Sequence, residues 1–247
     1  MILEGSVINF LGDSITQGVG ASCIENRYTD VLARQFGLKR ANNYGISGTR
    51  IARQRVVTDD PFDQDFCMRM DGMDTSADAV VVFGGTNDYF WSDGPLSGDG
   101  PDCFVPAVDL LCRELLRLFS GDAPLGTPAD RDPSTFWGAC HFLMSGLLER
   151  YCGKPVAILT PLHRQNEANP RGDGNKPCDA APLSVYRKIL MEVAEHYALP
   201  VLDLYAVSGI QPVNDVCRAR LAPDGLHPSD EGHALIAGKI GRFLQTL

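Results

Sequence analysis

Apolar and polar positions along the chain fall into two alternating rhythms. Ser6 to Leu11 is a short apolar run that ends at Gly12-Asp13, the profile of a buried strand. Ala79 to Phe83 reads Ala-Val-Val-Val-Phe, β-branched and apolar on both faces, as a central parallel strand requires. Ala41–Tyr44, Pro155–Thr160 and Pro200–Leu204 supply three further strands, the first assigned from its context. Between these runs the period lengthens to that of a helix. Asn26 is placed to cap a helix over Arg27–Phe36, with Tyr28, Val31, Leu32 and Phe36 on one face. Pro61 suits the first position of a helix within Thr58–Met73. Ser134 is placed to cap a helix to Tyr151 with Phe136, Cys140, Leu143, Met144 and Leu147 as its stripe. Leu183–Tyr197 is helical. Ser229 caps a terminal helix through about Phe243, with Asp230 and Glu231 in its first turn. Strands alternating with helices predict parallel β-α units and a three-layer α/β/α sandwich, with residues 1–247 forming one domain.

One stretch exceeds that plan. Residues 91–133 separate the third strand from the Ser134 helix and hold a predicted helix over Phe104–Phe119, between two similar Ser-Gly-Asp turns. The segment leaves the sheet just after Asn87-Asp88, at the edge where ligands bind in open α/β sheets. It reads as a lid or pocket wall, or as a peripheral packing element. Glu167–Pro177, rich in Pro, Gly and Asn, reads as a surface loop after the fourth strand.

Composition removes several function classes. Apolar residues make up 44%, enough for a core, and the net charge of −9 disfavours a nucleic-acid partner, which needs a basic footprint. No apolar stretch is long enough to span a membrane, and Met1–Ser6 lacks the basic region of a secretory leader, so a cytoplasmic location is expected. The eight cysteines include no C-x-x-C pair and none at a zinc-ligand interval from a histidine; reduced thiols and no metal are expected. Nothing in the pattern sets an oligomeric state.

The candidate chemistry sits at strand ends. Ser14 follows the first strand on a Gly12-Asp13 turn, where a hydroxyl can act as nucleophile if a base takes its proton. Asp224 and His227, three residues apart on a late loop, are a candidate orienter and base. Gly48 offers a backbone N–H and Asn87 a side-chain amide for a developing oxyanion, with the Ser14 N–H as a third donor. Asp13, Asp88 and His163, near the same strand ends, are candidates to line a substrate pocket. His141 reads as packing or surface, and His196 and His233 as helix-surface residues. There is no G-x-S-x-G, no P-loop and no complete dinucleotide fingerprint.

These four blocks together resemble the GDSL-type, or SGNH, hydrolase family: Gly12-Asp13-Ser14-Ile15 (Ile for the usual Leu), Asn43–Gly48, Gly85-Thr86-Asn87-Asp88 and Asp224-Gly225-Leu226-His227. The resemblance spans residues 12 to 228. It implies a flavodoxin-like five-stranded sheet of order 2-1-3-4-5 and cofactor-free hydrolysis of a small-molecule ester through an acyl-enzyme on Ser14. Small acyl groups such as acetyl, on a carbohydrate, are the favoured substrates by analogy. A lysophospholipase or thioesterase is the alternative within the fold, and a non-catalytic carbohydrate-binding module the alternative from another class. The long segment after Asp88 departs from the family pattern.

Overall fold

The computed structural model describes residues 1–53, 61, 64–90, 124–168 and 181–247. The predicted helix over Phe104–Phe119, Trp91 and most of the 91–133 segment lie outside them, as does all but the start of the Glu167–Pro177 loop.

Five parallel strands form one sheet in the order β2-β1-β3-β4-β5: β1 Val7–Gly12, β2 Arg40–Gly45, β3 Ala79–Phe83, β4 Val156–Leu159 and β5 Val201–Leu202. Gly12 pairs with Gly45 on one side and Phe83 on the other, so the chain leaves β1, β2 and β3 at the same edge. Alternate side chains feed two cores. Val80, Val82, Val156 and Ile158 pack with helices Phe136–Arg150 and Leu183–His196. Ile8, Phe10, Val81 and Phe83 pack with helices Tyr28–Phe36 and Asp230–Leu244. A central strand with apolar residues on both faces is what a sheet covered twice requires.

Helix beginnings differ from the sequence reading in instructive ways. Thr135, not Ser134, caps Phe136–Arg150, its hydroxyl accepting from Gly138 N at 3.0 Å. Asn26 does not cap the second helix. It ends a 3-10 turn (Ile24–Asn26), and its amide donates to Asp230 at 3.0 Å and Ser22 at 3.1 Å. Within the span assigned to a helix at Thr58–Met73, the described residues hold one turn at Phe66–Arg69 and a 3-10 turn at Met70–Gly72. β5 is only two residues long, because Asp203 turns the chain into the short helix Leu204–Val207. Ser229 does cap the terminal helix, accepting from Gly232 N at 3.2 Å. The returning end of the long segment is stitched to the body: Phe136 and Trp137 donate to Pro124 and Leu125 carbonyls, and Arg53 N to Pro133 O.

Among the described residues no helix is long and apolar enough to cross a membrane, and no cluster of three His, Cys, Asp or Glu side chains is placed to hold a metal ion. Cys23, Cys67, Cys140, Cys152 and Cys217 are free.

Candidate active site

The site begins where β1 ends. Asp13 caps the one-turn helix Ser14–Gln17 by accepting from Ile15 N at 3.0 Å, which sets Ser14 at the first helical position. The first N–H groups of a helix have no partner within it. Among the described residues the Ser14 N–H makes no hydrogen bond.

The late loop meets this turn. Asp224 Oδ1 accepts from the backbone N–H groups of Leu226 (2.9 Å) and His227 (2.7 Å), folding the loop on itself. Its other oxygen lies 2.6 Å from His227 Nδ1, and His227 Nε2 lies 2.9 Å from Ser14 Oγ. An ionised carboxylate only accepts, so Nδ1 carries the proton and Nε2 is left to accept from the serine hydroxyl. Burial pulls the Asp224 carboxyl upward, but the imidazole and the two N–H groups outweigh it and hold the carboxyl below its ordinary range.

A buried histidine holds the segment that follows the serine turn. His233, expected on a helix surface, is fully buried. It accepts from Tyr28 N at Nδ1 (3.2 Å) and places Nε2 3.3 Å from Val19 O, a pattern that only the neutral ring satisfies. Burial accordingly lowers its pKa. It belongs to the buried stripe of Ile236, Ala237, Ile240 and Leu244, and that helical spacing was the available signal.

Two further strand ends complete the arrangement. Gly48 takes a φ of +78° after β2, and among the described residues its N–H has no partner. Asn87 follows β3 and donates one amide hydrogen to Thr49 O at 2.9 Å, and among the described residues its second hydrogen has no partner. Arg69, which no motif announced, ties these loops together. Its guanidinium donates to Gly12 O (3.0 Å), Thr49 Oγ1 (2.8 Å) and Tyr44 O. Burial lowers its pKa to about 10 against the pull of Asp13 and Asp65.

Asp13 and Asp88, expected at a substrate pocket, are both buried and bonded to backbone. Burial raises Asp13 to about 7; the Ile15 N–H opposes this, Asp88 adds to it, and Arg69 opposes it. Burial raises Asp88 to about 6, against the N–H groups of Ala52 and Ile51 and the charge of Arg50. His163 lies after β4, its Nδ1 2.7 Å from Glu167 Oε1 and its ring 3.6 Å from that of Tyr205, whose hydroxyl donates to the same oxygen. Gln165 N donates to Gly225 O at 2.8 Å, so this segment adjoins the Asp224–His227 loop.

The geometry offers a hydroxyl, an imidazole and a carboxylate in series, with unengaged N–H donors at neighbouring strand ends. Comparison with known proteins supplies the family and the fold. Residues 10–235 match the GDSL-like Lipase/Acylhydrolase family. A solved Lactobacillus plantarum protein is 27% identical, with a TM-score of 0.74 and 98% of each chain covered. A lipase/acylhydrolase from Enterococcus faecalis is 20% identical, with a TM-score of 0.59 over 98% of this chain and 96% of that one. A variant of an acetyl-xylooligosaccharide esterase from Geobacillus is 20% identical, with a TM-score of 0.56 and the same coverage. The last two establish likeness of fold alone. No curated protein matches the chain.

Proposed function

This chain belongs to the GDSL-like lipase/acylhydrolase family, and from that premise we propose that it is a serine esterase removing small acyl groups, acetyl foremost, from carbohydrate-type alcohols. The observation that carries the reading is the unbroken relay from Asp224 through His227 to Ser14. His227 Nε2 takes the hydroxyl proton as Ser14 Oγ attacks the ester carbonyl. The N–H groups of Ser14 and Gly48 and the Asn87 amide hold the oxyanion. His227 then gives its proton to the leaving alcohol. Water, deprotonated by the same ring, cleaves the acyl-enzyme and restores Ser14. Asp224 holds the ring in the required tautomer throughout.

The likeness of fold to the Geobacillus acetyl-xylooligosaccharide esterase supports acetyl on a sugar as the substrate class. The chain acts as one hydrolase unit in this reading.

A fluorophosphonate probe should label Ser14, and Ser14→Ala should abolish both labelling and p-nitrophenyl acetate hydrolysis with the circular dichroism spectrum unchanged. Undiminished hydrolysis in Ser14→Ala removes the serine mechanism. An unlabelled native protein favours a non-catalytic binding module instead. Rates on longer acyl chains, thioesters and acetylated xylo-oligosaccharides decide the substrate class.

A further inference from the structure

The relay and the oxyanion donors give no role to Asp88, a buried carboxylate beside the site. Asp88 is 4% exposed, and taking a carboxylate out of water costs several kcal/mol unless good partners replace the solvent. Two consecutive backbone groups hydrogen-bond to it, Oδ2 accepting from Ile51 N at 3.0 Å and Oδ1 from Ala52 N at 2.9 Å, and the charge of Arg50 also favours its ionised form. The residue before it, Asn87, holds Thr49 O of the same segment. Adjacent side chains on one helical turn thus grip a carbonyl and two N–H groups of the run that follows Gly48. From the other side, Arg69 holds Thr49 Oγ1 and Phe66 N donates to Arg50 O at 2.9 Å. A loop that only had to be covered would be served by apolar packing, without burying a charge.

We infer that Asp88 is a positioning residue of the oxyanion site: its carboxylate clamps the Ile51 and Ala52 N–H groups so that the Gly48 N–H and the Asn87 amide converge on one point. The inference rests on the reading of Gly48 and Asn87 as oxyanion donors. Asp88 touches no reacting atom. It acts through the loop, and the loop acts on charge that exists only in the transition state.

The isosteric variant Asp88→Asn isolates this role. An amide has one accepting oxygen, so its NH2 group faces one of the two N–H donors and the loop must shift. A displacement on the order of 1 Å at a reacting centre costs about 100-fold in rate. The expected result is a fall in kcat for p-nitrophenyl acetate of about 10- to 100-fold, with KM nearly unchanged. Binding of an alkyl boronic acid should weaken by the same factor as kcat/KM. Ser14 Oγ adds to its boron, the serine hydroxyl proton goes to His227, and an oxygen of the resulting tetrahedral boronate stands where the oxyanion forms. If Asp88→Asn does not fold, replacing Ala52 by lactic acid through nonsense suppression deletes one N–H donor and leaves every other side chain in place. The same joint loss of kcat and boronate affinity, of a few-fold or about 10-fold, is expected there.

Unchanged kcat in a folded variant overturns the inference. So does a rise in KM with kcat preserved, or a fall in kcat with boronate affinity retained. Fluorophosphonate labelling of the native protein separates the two levels. Labelled Ser14 with any of these outcomes removes the role of Asp88 alone, whereas an unlabelled native protein removes the serine reading beneath it.

Discussion

A helix cap ordinarily sits in water, where its carboxylate is free to ionise. Asp13 caps from inside the protein, 2% exposed, and its pKa stands at about 7 against an ordinary 3.8. A carboxyl whose pKa is raised on folding binds its proton more tightly in the folded state. Stability therefore falls as pH rises from about 4 towards 7, and the full penalty applies above that. Asparagine keeps an accepting oxygen for Ile15 N and cannot ionise. The melting temperature of Asp13→Asn, relative to the parent, should therefore be higher at pH 8 than at pH 5. An equal difference at both pH values would mean that Asp13 does not titrate in this window. The three residues of the relay were legible from their types and spacing, since a hydroxyl, an imidazole and a carboxylate at strand ends carry their chemistry in their names. The engagements of Arg69, Asp88 and His233 were not. Each serves backbone groups far off in sequence, and neither the place of Asp88 in the Gly85–Asp88 block nor the residue type of Arg69 or His233 carries a mark of such a partner.

At the scale of elements, the loop from Gly18 to Ala21 carries weight that its composition hides. It backs onto the segment holding His227. Gly20 has a φ of +93°, and a Cβ there would stand 2.3 Å from Pro228 O and 3.1 Å from His227 Cβ. Alanine at this position meets both backbone strain and a clash with main chain, which no rotamer relieves. Gly20→Ala should cost about 1–3 kcal/mol by urea denaturation. It should also lower kcat, because the segment that must yield carries the imbalance directly to the imidazole. Lost stability with unchanged kcat would show that the Asp224–His227 loop is rigid against its neighbour. The elements that the sequence revealed best are those whose pattern is local. Ala79–Phe83 was readable to the residue because a doubly covered strand leaves no polar position. β2, half-buried along most of its length at the sheet edge, has no clean alternation, and its bounds came out one residue wider at each end than expected. Thr135 in place of Ser134 is a choice between adjacent capping residues that tertiary contacts decide. The helix Asp215–Leu221 contains no fully buried residue, so it had no apolar stripe to announce it.

Across the whole molecule the site joins residues 213 positions apart, Ser14 just past the end of β1, the strand between β2 and β3, and His227 at the entrance to the last helix. That helix is fixed at both ends. Ile236, Ala237, Ile240 and Leu244 are fully buried against the core containing Ile8 and Phe10. His233 accepts from Tyr28 N near its start, and the Met1 ammonium donates to Leu244 O at 3.1 Å near its finish. The strand order follows from the family blocks more than from periodicity, since alternating strands and helices allow several orders and the blocks put three strand ends around one serine. With the nucleophile and its base mounted on opposite ends of one chain and on one core, separating them requires exposing that core. Activity, tryptophan fluorescence and far-UV circular dichroism should therefore be lost at the same urea concentration, as one cooperative transition. Activity lost first, with both spectra intact, would show instead that the Asp224–His227 loop opens on its own. The pairing of His227 with Ser14 would then be a local equilibrium, not a consequence of the global fold.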